Sequence, residues 1–462
     1  MTSNVLFLVQ EVAAPVAQSG DTAWLLVSTA LVLLMVPGLA CFYGGLARGR
    51  AVLNTMLMSV LALAIMSVLW VAVGYSLAFS PGSAWLGGLQ WIGMSGVGAA
   101  PNPTYSANVP HLLFAAFQMM FAGITIALIS GAVIERMRFV AFAAFAVTWG
   151  LFVYVPLAHW VWADGGWLRT LGALDFAGGT VVHISAGVSA LLLAKLIGPR
   201  HEFGRTAILP HNVPLTLLGT GLLWFGWFGF NAGSALAADG VAANAAVTTH
   251  TAAAAAVITW LVLEMVRTKH ATAVGAATGA VAGLVAITPA AGFVTPLGAI
   301  AIGAIGSVAS YVAIQWRPRT RVDDALDVFA CHGVAGIAGA LVTGVFATKS
   351  VNALGADGLL HGGGVRLLGI QAAAVAATIV FVCIATPAIY FGVQAVLGAR
   401  VSLADELAGI DAAEHSEEAY HTGGFDELAG QEVSLGQRVV LPASEFFEAR
   451  TPVATRSIST AG

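Results

Sequence analysis

Long apolar runs recur along roughly the first 400 residues of this chain. A helix that crosses a hydrocarbon core of about 30 Å needs roughly 20 mainly apolar residues, and eleven runs of suitable length are present. They cover residues 24–43, 52–79, 111–134, 139–158, 177–197, 213–236, 244–266, 272–290, 297–315, 327–347 and 366–396. Because 58% of the 462 residues are hydrophobic and only 9% are charged, a water-soluble globule is excluded. The sequence predicts an all-α polytopic membrane protein with eleven transmembrane helices.

Charge in the connections between these runs predicts the orientation. One set of connections holds Arg48, Arg50, Arg136, Arg138, Lys195, Arg200, Arg205, Arg267, Lys269, Arg317, Arg319 and Arg321, and the other holds only Arg169, Lys349 and Arg366. The side rich in Lys and Arg faces the cytosol, so we expect the N-terminus outside and the C-terminus in the cytosol. Residues 1–20 contain no Lys or Arg, and we interpret them as a short external leader, with its cleavage left open.

The composition changes near residue 398. From there to the C-terminus, eleven Asp and Glu stand against four Lys and Arg. We therefore divide the chain into a transmembrane domain, residues 1–397, and a cytosolic tail, residues 398–462. The apolar spacing in residues 398–420 predicts a short amphipathic helix that packs against the membrane domain, whereas the polar remainder is predicted to be weakly ordered.

Two of the apolar runs open alike and carry one histidine each. Residues 173–176 (Ala-Leu-Asp-Phe) precede His183, and residues 325–329 (Ala-Leu-Asp-Val-Phe) precede His332. Five spans separate the two segments, so they cross the membrane in opposite directions. This predicts an inverted repeat of helices 1–5 and 6–10, with an eleventh helix outside it and a binding site near mid-membrane.

The paired histidines are the first candidates for a transport path. A histidine alone in a span more often hydrogen-bonds a neighbouring helix, but ionisable groups in spans are costly, and symmetric placement favours a transport role. Small residues favour close contact of spans five and ten: Gly178, Gly179, Ala186 and Gly187 on one side, and Gly333, Gly336 and Gly339 on the other. His250 is predicted to serve helix packing or a subunit contact, and Asp327 to be a structural anchor with Arg321.

The three cysteines do not support a metal site or a disulfide framework. Cys41, Cys331 and Cys383 all fall in predicted spans, and none forms a Cys-x-x-Cys pair. Cys331 stands next to His332, but carboxylate ligands at a suitable spacing are missing from the sequence around it. We expect neither a metal nor a cofactor.

Aromatic residues form a second group of candidates. Phe121 in span three, Trp162 in the loop before span five, and Trp227 and Phe230 in span six are predicted to lie near the outer mouth. Their π faces attract cations, and the hydroxyl of Ser234 can accept a hydrogen bond from an N–H donor. This suits a small nitrogenous cation. Tryptophan is also common at membrane interfaces, and we interpret Trp24, Trp85, Trp91 and Trp167 in that way. In residues 224–234 glycines alternate with aromatic rings, and composition alone favours pore lining and packing equally.

Several segments match one known family. They are residues 175–183 (DFAGGTVVH), 226–234 (GWFGFNAGS), 288–290 (TPA), and 321–324 followed by 327–333 (RVDD and DVFACHG). Over residues 20–425 the chain resembles the ammonium transporter (Amt/Mep/Rh) family, and in particular its bacterial Amt branch.

The resemblance implies roles for individual residues. Phe121, Trp162 and Ser234 would form an external ammonium site, Phe121 and Phe230 a gate below it, and His183 with His332 the pore pair. Asp175, Trp227 and Thr288 would support these sites. Asp175 either accepts a proton or, as we favour, caps the start of a helix. The family implies transport rather than enzyme catalysis.

The resemblance also implies the setting and the partners. It predicts a homotrimer in the lipid of the bacterial inner membrane, with ammonium or ammonia as substrate and no nucleic acid partner. Residues 398–421 would belong to a regulatory tail that a cytosolic PII signalling protein reads. We expect ammonium to be deprotonated at the outer site and ammonia to pass the histidines, with coupled proton transfer. A neutral ammonia channel similar to Rh proteins and a membrane-embedded ammonium sensor remain the alternatives.

Overall fold

The computed structural model describes residues 15–420, which are overwhelmingly helical. The α-helices of this part of the chain are α1 Ser19–Leu46, α2 Val52–Leu69, α3 Tyr75–Phe79, α4 His111–Ser130, α5 Phe139–Trp149, α6 Val155–Trp162, α7 Trp167–Leu171, α8 Ser185–Ile197, α9 Val213–Trp227, α10 Gly240–Thr268, α11 Ala273–Ile287, α12 Pro296–Trp316, α13 Ala335–Phe346, α14 Arg366–Leu397, α15 Leu403–Ala408 and α16 Ile410–His415. A short antiparallel pair, β1 Pro101–Asn102 and β2 Ser106–Pro110, departs from the all-α prediction.

Shorter helical turns continue or connect these helices. Those of π type are Trp70–Gly74, Gly150–Tyr154, Gly179–Ile184, Phe228–Ala232 and Phe329–Val334. Those of 3₁₀ type are Gly49–Ala51, Ile92–Met94, Gly233–Ala235, Arg317–Arg319 and Leu359–His361. Turns of π type are rare and are often found at functional sites, and two of these contain His183 and His332.

The spans are close to those predicted, with one difference in number. Within residues 15–420, ten helical segments are long and apolar enough to cross a membrane. The predicted span 272–290 contains only the 15-residue helix α11, which ends at Ile287 and is followed by a turn. The chain is therefore a helical membrane protein with ten or eleven apolar helices.

Glycine allows the central helices to approach closely. A Cβ atom on Gly219 of α9 would lie 2.3 Å from the backbone nitrogen of Phe42 in α1, and one on Gly226 would lie 2.3 Å from the side chain of Met35. Close backbone approach of this kind replaces the hydrophobic driving force that membrane helices lack. It draws α1 and α9 together along their length.

The tail packs against the connections at the arginine-rich end. Its first part forms two short helices, α15 and α16, rather than the single helix predicted. The carboxylate of Asp411 accepts hydrogen bonds from the backbone N–H groups of Leu53 (3.0 Å) and Asn54 (2.7 Å) at the start of α2. Within the described residues, contacts group residues 15–419 into one compact unit. The predictions for the leader before residue 15 and for residues 428–462 lie outside the described residues.

A buried ion cluster ties these connections together. Arg200 donates to Asp323 through Nε (2.8 Å) and a terminal nitrogen (2.9 Å), and its other terminal nitrogen lies 3.4 Å from Glu135. Arg136, which is fully buried, donates to the backbone carbonyl of Asp323. Burial works against ionisation of Asp323, but hydrogen bonds from Arg200 and the charges of both arginines outweigh it and hold the pKa of this carboxyl below its ordinary value.

Asp323→Asn is expected to destabilise the protein by roughly 3 kcal/mol, because the buried guanidinium of Arg136 loses its carboxylate partner and that of Arg200 keeps only Glu135. A depressed carboxyl pKa contributes stability above the unfolded pKa of about 3.9, and that contribution is lost as pH falls through the folded value. The difference in thermal unfolding midpoint between wild type and variant should thus be constant from about pH 5 to pH 8 and shrink below about pH 4. Glu418→Gln, at an exposed position, is the control. Equal midpoints at neutral pH would contradict this assignment.

Candidate transport site

His183 and His332 meet inside the helical domain. Their Nδ1 atoms lie 3.3 Å apart, and the ring centroids are 5.3 Å apart at an interplanar angle of 24°. The exposed fractions of the two residues are 1% and 3%. The predicted contact is therefore confirmed. Two neutral imidazoles that share one Nδ1–H leave one Nε2 as an acceptor and the other as a donor.

Glycine allows this contact. A Cβ atom on Gly187 would lie 2.1 Å from the backbone nitrogen of Gly333, so α8 and the π turn of His332 touch through their main chains. A Cβ atom on Gly336 would lie 3.2 Å from that of His183. The prediction for Gly339 is wrong, because a Cβ atom there would lie 2.2 Å from the carbonyl oxygen of Ala286 in α11 rather than against span five.

Asp175 holds the start of the π turn that contains His183. Its two carboxylate oxygens accept hydrogen bonds from four successive backbone N–H groups, those of Gly178 (2.9 Å), Gly179 (2.6 Å), Thr180 (2.8 Å) and Val181 (3.1 Å). Gly178 has φ +114°, a value that side chains disfavour. The geometry is that of the predicted cap, since these donors have no partner within their own helix.

The counterpart of Asp175 is Asp324, and the sequence match with Asp327 is wrong. Asp324 accepts a hydrogen bond from the backbone N–H of Phe329 (2.7 Å), which begins the second π turn. It stands eight residues before His332, as Asp175 stands eight before His183. Asp327 instead lies 3.0 Å from Arg317, and not with Arg321 as predicted. The eight-residue spacing from aspartate to histidine was the signal that could have identified Asp324.

Stacked aromatic rings lie beside the histidines. The centroids of Phe121 and Phe230 are 4.2 Å apart at 26°, and that of Phe230 is 6.0 Å from His183. Both phenylalanine side chains are buried. Phe121 in turn contacts Trp162, whose ring meets it edge-on at a centroid distance of 6.0 Å.

Trp162 and Ser234 are both half-buried, and each contacts one of these two phenylalanines. Trp162 is the last residue of α6 and not part of a loop, as the sequence had suggested. Its Nε1 donates to the carbonyl oxygen of Asp175 (3.0 Å), which fixes the plane of the indole. The hydroxyl of Ser234 donates to the carbonyl oxygen of Phe230 (2.9 Å), so the oxygen of Ser234 is left able to accept from another donor.

A narrow cavity continues along the imidazoles. Trp227 stacks at 5.5 Å on His183, and its Nε1 donates to the hydroxyl of Thr288 (2.9 Å). The other lining residues are chiefly apolar, among them Ile124, Leu128, Val182 and Leu223. About 10 Å³ is open to the centre of a water-sized molecule, which is close to the minimum that one water needs. The cavity therefore suits one small molecule with hydrogen-bonding capacity.

The remaining candidates lie apart from this path. Within residues 15–420, His, Cys, Asp and Glu form no group of three that could hold a metal ion. His250 is exposed on the surface of the single chain, where its ring contacts those of Trp224 and Phe228.

A helical membrane protein with aromatic rings stacked over a buried, histidine-lined cavity belongs to the class of channels and transporters for small solutes. Residues 23–420 match the model of the Ammonium Transporter Family. The chain belongs to that family.

Similar proteins of known sequence and similar solved structures support this family assignment. The chain is 51% identical over 404 residues to the ammonium transporter of Bacillus subtilis, covering 87% of this chain and 99% of that protein. It is 46% identical to the ammonium transporter Amt1 of Archaeoglobus fulgidus, with 87% and 99% covered. The crystal structure of Saccharomyces cerevisiae Mep2 matches with a TM-score of 0.79 at 36% identity, covering 84% of this chain and 91% of that one. A structure described as a sensor Amt protein matches at 0.78 and 30% identity, with 86% and 98% covered.

Proposed function

We propose that this chain binds NH4⁺ at the outer aromatic site, removes one proton and passes ammonia along the paired histidines, with the proton crossing through the same imidazoles. One observation carries the proposal. The ring of Phe230 contacts both parts of the proposed path, with its centroid 4.2 Å from that of Phe121 and 6.0 Å from that of His183. A molecule that moved from Trp162 to the histidines along these contacts would pass both phenylalanine rings.

The outer site would hold the cation through three groups. The edge-on arrangement of Trp162 and Phe121 leaves π surface for an ammonium ion, and cation–π contact is worth about 2 kcal/mol when desolvated. Ser234 would accept one of the four N–H groups. Asp175 would contribute indirectly, because its carbonyl oxygen orients the indole of Trp162.

The stacked rings would admit only a neutral molecule. A charge among buried phenylalanine side chains has lost its water and gained no partner, which costs several kcal/mol or more. Ammonium avoids that cost by passing one proton to a hydrogen-bonded water, from which the proton would be relayed to the imidazoles while neutral ammonia passes the rings. Potassium has the same charge but no proton to lose, so it would be rejected at the gate.

The histidines would then conduct. Because the shared Nδ1–H leaves one Nε2 as donor and the other as acceptor, the pair offers ammonia both kinds of hydrogen bond in an otherwise apolar cavity. An imidazole can also take up a proton at one ring nitrogen and release a proton from the other. This supports charge-coupled transport, whereas a pair that only solvates ammonia would give a neutral gas channel.

The proposal includes the assembly and its setting. We infer a homotrimer in the bacterial inner membrane, with the N-terminus outside, the C-terminus in the cytosol and residues 398–462 as a regulatory tail open to a PII protein. Docking of α15 and α16 at the arginine-rich connections supports a cytosolic tail. The twin π turns, each with a capping aspartate eight residues before its histidine, support an inverted repeat of helices 1–5 and 6–10.

The decisive experiment uses the full chain in potassium-free liposomes on a solid-supported membrane. An ammonium-evoked current is expected from the wild type and supports charge-coupled transport. No current despite measurable ammonia flux would indicate the neutral channel. A tail deletion that retains uptake but abolishes a nitrogen response in cells would favour an ammonium sensor. The similarity to the sensor Amt protein supports testing this alternative.

Trp162→Leu is expected to raise the half-saturating ammonium concentration roughly thirtyfold, because a desolvated cation loses a contact worth about 2 kcal/mol. Discrimination between ammonium and other cations should fall with it, while assembly is retained. The concentration dependence of the current and size-exclusion chromatography measure the two effects. Trp85→Leu, at a tryptophan that is 58% exposed, is the control. Loss of the folded oligomer would show that Trp162 is structural instead.

A further inference from the structure

A buried glutamine links α14, the last of the apolar helices, to the proposed transport path. Gln371 of α14 is 1% exposed, and its amide makes three hydrogen bonds. Oε1 accepts from the backbone N–H of Leu174 (2.8 Å), and Nε2 donates to the carbonyl oxygens of Leu174 (2.8 Å) and Ala340 (3.0 Å). The side chain thus binds both backbone groups of Leu174 and, at the same time, helix α13.

Leu174 begins the segment that joins the outer site to the pore. The next residue, Asp175, accepts from the indole of Trp162 through its carbonyl and caps the π turn of His183 through its carboxylate. The backbone N–H of Phe176 donates to the carbonyl of Pro289 (3.1 Å). A shift of this segment would therefore move Trp162 and His183 together.

Apolar packing holds the same segment against α14. Leu174 and Phe176 pack on the buried cluster of Phe293, Ala347 and Leu367, and Leu367 lies one helical turn before Gln371. Gln371 supplies the polar part of the contact, because the peptide of Leu174 has no helix or strand to bond with at this point. Backbone groups left without partners in such a place are costly.

We propose that Gln371 is a positioning residue that fixes Leu174 and, through it, the geometry of the outer ammonium site and the capped histidine turn. The inference rests on the proposed function for its effect on transport, but not for its effect on the segment. This role would connect α14, the span that lies outside the predicted repeat, to the transport path.

Gln371→Met tests this, because methionine retains the length and volume of the side chain without its hydrogen bonds. Hydrogen exchange measured by mass spectrometry should show faster exchange in peptides covering residues 174–184. The half-saturating ammonium concentration should rise roughly tenfold, as expected for the loss of a buried hydrogen-bonded contact. The maximal current per folded protein should change less, because the gate and the imidazoles are retained.

Thr378→Val is the matched control, since Thr378 is fully buried on the same helix and its hydroxyl has no partner within the described residues. It should leave exchange and half-saturation as in wild type. If Gln371→Met does not fold, Gln371→Asn, whose amide is one methylene too short to reach Leu174, is measured instead. Unchanged exchange in residues 174–184 would overturn the proposal. Absence of current in the wild type would overturn the proposed function, and the exchange result would still decide the role of Gln371.

Discussion

Replacing His183 and His332 together by alanine is expected to lower the ammonium-evoked current at least tenfold and to weaken the exclusion of potassium. The two imidazoles are the polar groups of an otherwise largely apolar cavity, so their loss removes the hydrogen bonds offered to ammonia. A missing hydrogen bond at a buried site costs about 1–3 kcal/mol, which corresponds to a rate factor of roughly 5 to 150. Without the two imidazole rings the cavity would be larger and would have no proton relay. It would therefore also admit water, and with the water cations.

Currents from proteoliposomes with ammonium or potassium as the only permeant cation measure both effects. Each single variant should show part of the change, because the two rings share one Nδ1–H and each orients the other. His270→Ala is the matched control, since that histidine is exposed in the connection after α10. Unchanged transport and selectivity in both single variants and in the double variant would refute the proposed relay.

Replacing Asp175 by alanine is expected to abolish transport and to lower the yield of folded protein. Four backbone N–H groups would lose their acceptor at once, and each buried unsatisfied donor costs about 1–3 kcal/mol. The π turn that contains His183 would then unwind or fill with water. The loss of unfolding free energy should exceed the loss on removing an ordinary helix cap, which is about 1 kcal/mol.

Asp239→Ala provides that comparison, because Asp239 caps α10 through a single bond to the N–H of Ala242 (2.9 Å). Thermal unfolding in detergent and ammonium-evoked currents are measured for both variants. We expect a large drop in the unfolding midpoint for Asp175→Ala and a small one for Asp239→Ala. Lost transport with an unchanged midpoint would indicate that Asp175 acts chiefly as a proton acceptor.

Much of the fold depends on interactions within single helices and could therefore be predicted from the sequence. A transmembrane helix satisfies its own backbone hydrogen bonds, so length and apolarity alone marked the spans to within a few residues, although α11, with 15 residues, falls short of a full span. The close approach of Gly187 to Gly333 was also readable, because small residues on facing helices have few alternatives to tight packing. The predicted meeting of His183 and His332 followed from the same reasoning.

The rotational register of the helices and the positions of the π turns could not be predicted from the sequence. The repeated Ala-Leu-Asp letters pointed to Asp327, but the carboxylate that reaches the second π turn is that of Asp324, three residues earlier. A π turn adds one residue to the helical repeat and so changes which side chain faces the lumen, without a signal in composition. Trp162 was assigned to a loop because the apolar run predicted a span that ends at residue 158, whereas the helix continues through the π turn Gly150–Tyr154 and α6 to Trp162.

The sequence by itself determined the class of protein, the approximate spans and the pairing of two histidines, because hydrophobic length and residue spacing act within one helix at a time. The tertiary structure alone decided which polar groups meet across helices: Asp324 rather than Asp327 at the second turn, Trp162 on the carbonyl of Asp175, and Gln371 on Leu174. These contacts depend on the relative rotation and depth of helices far apart in sequence. A difference of one residue in register turns a side chain by about 100°, enough to move it out of the path.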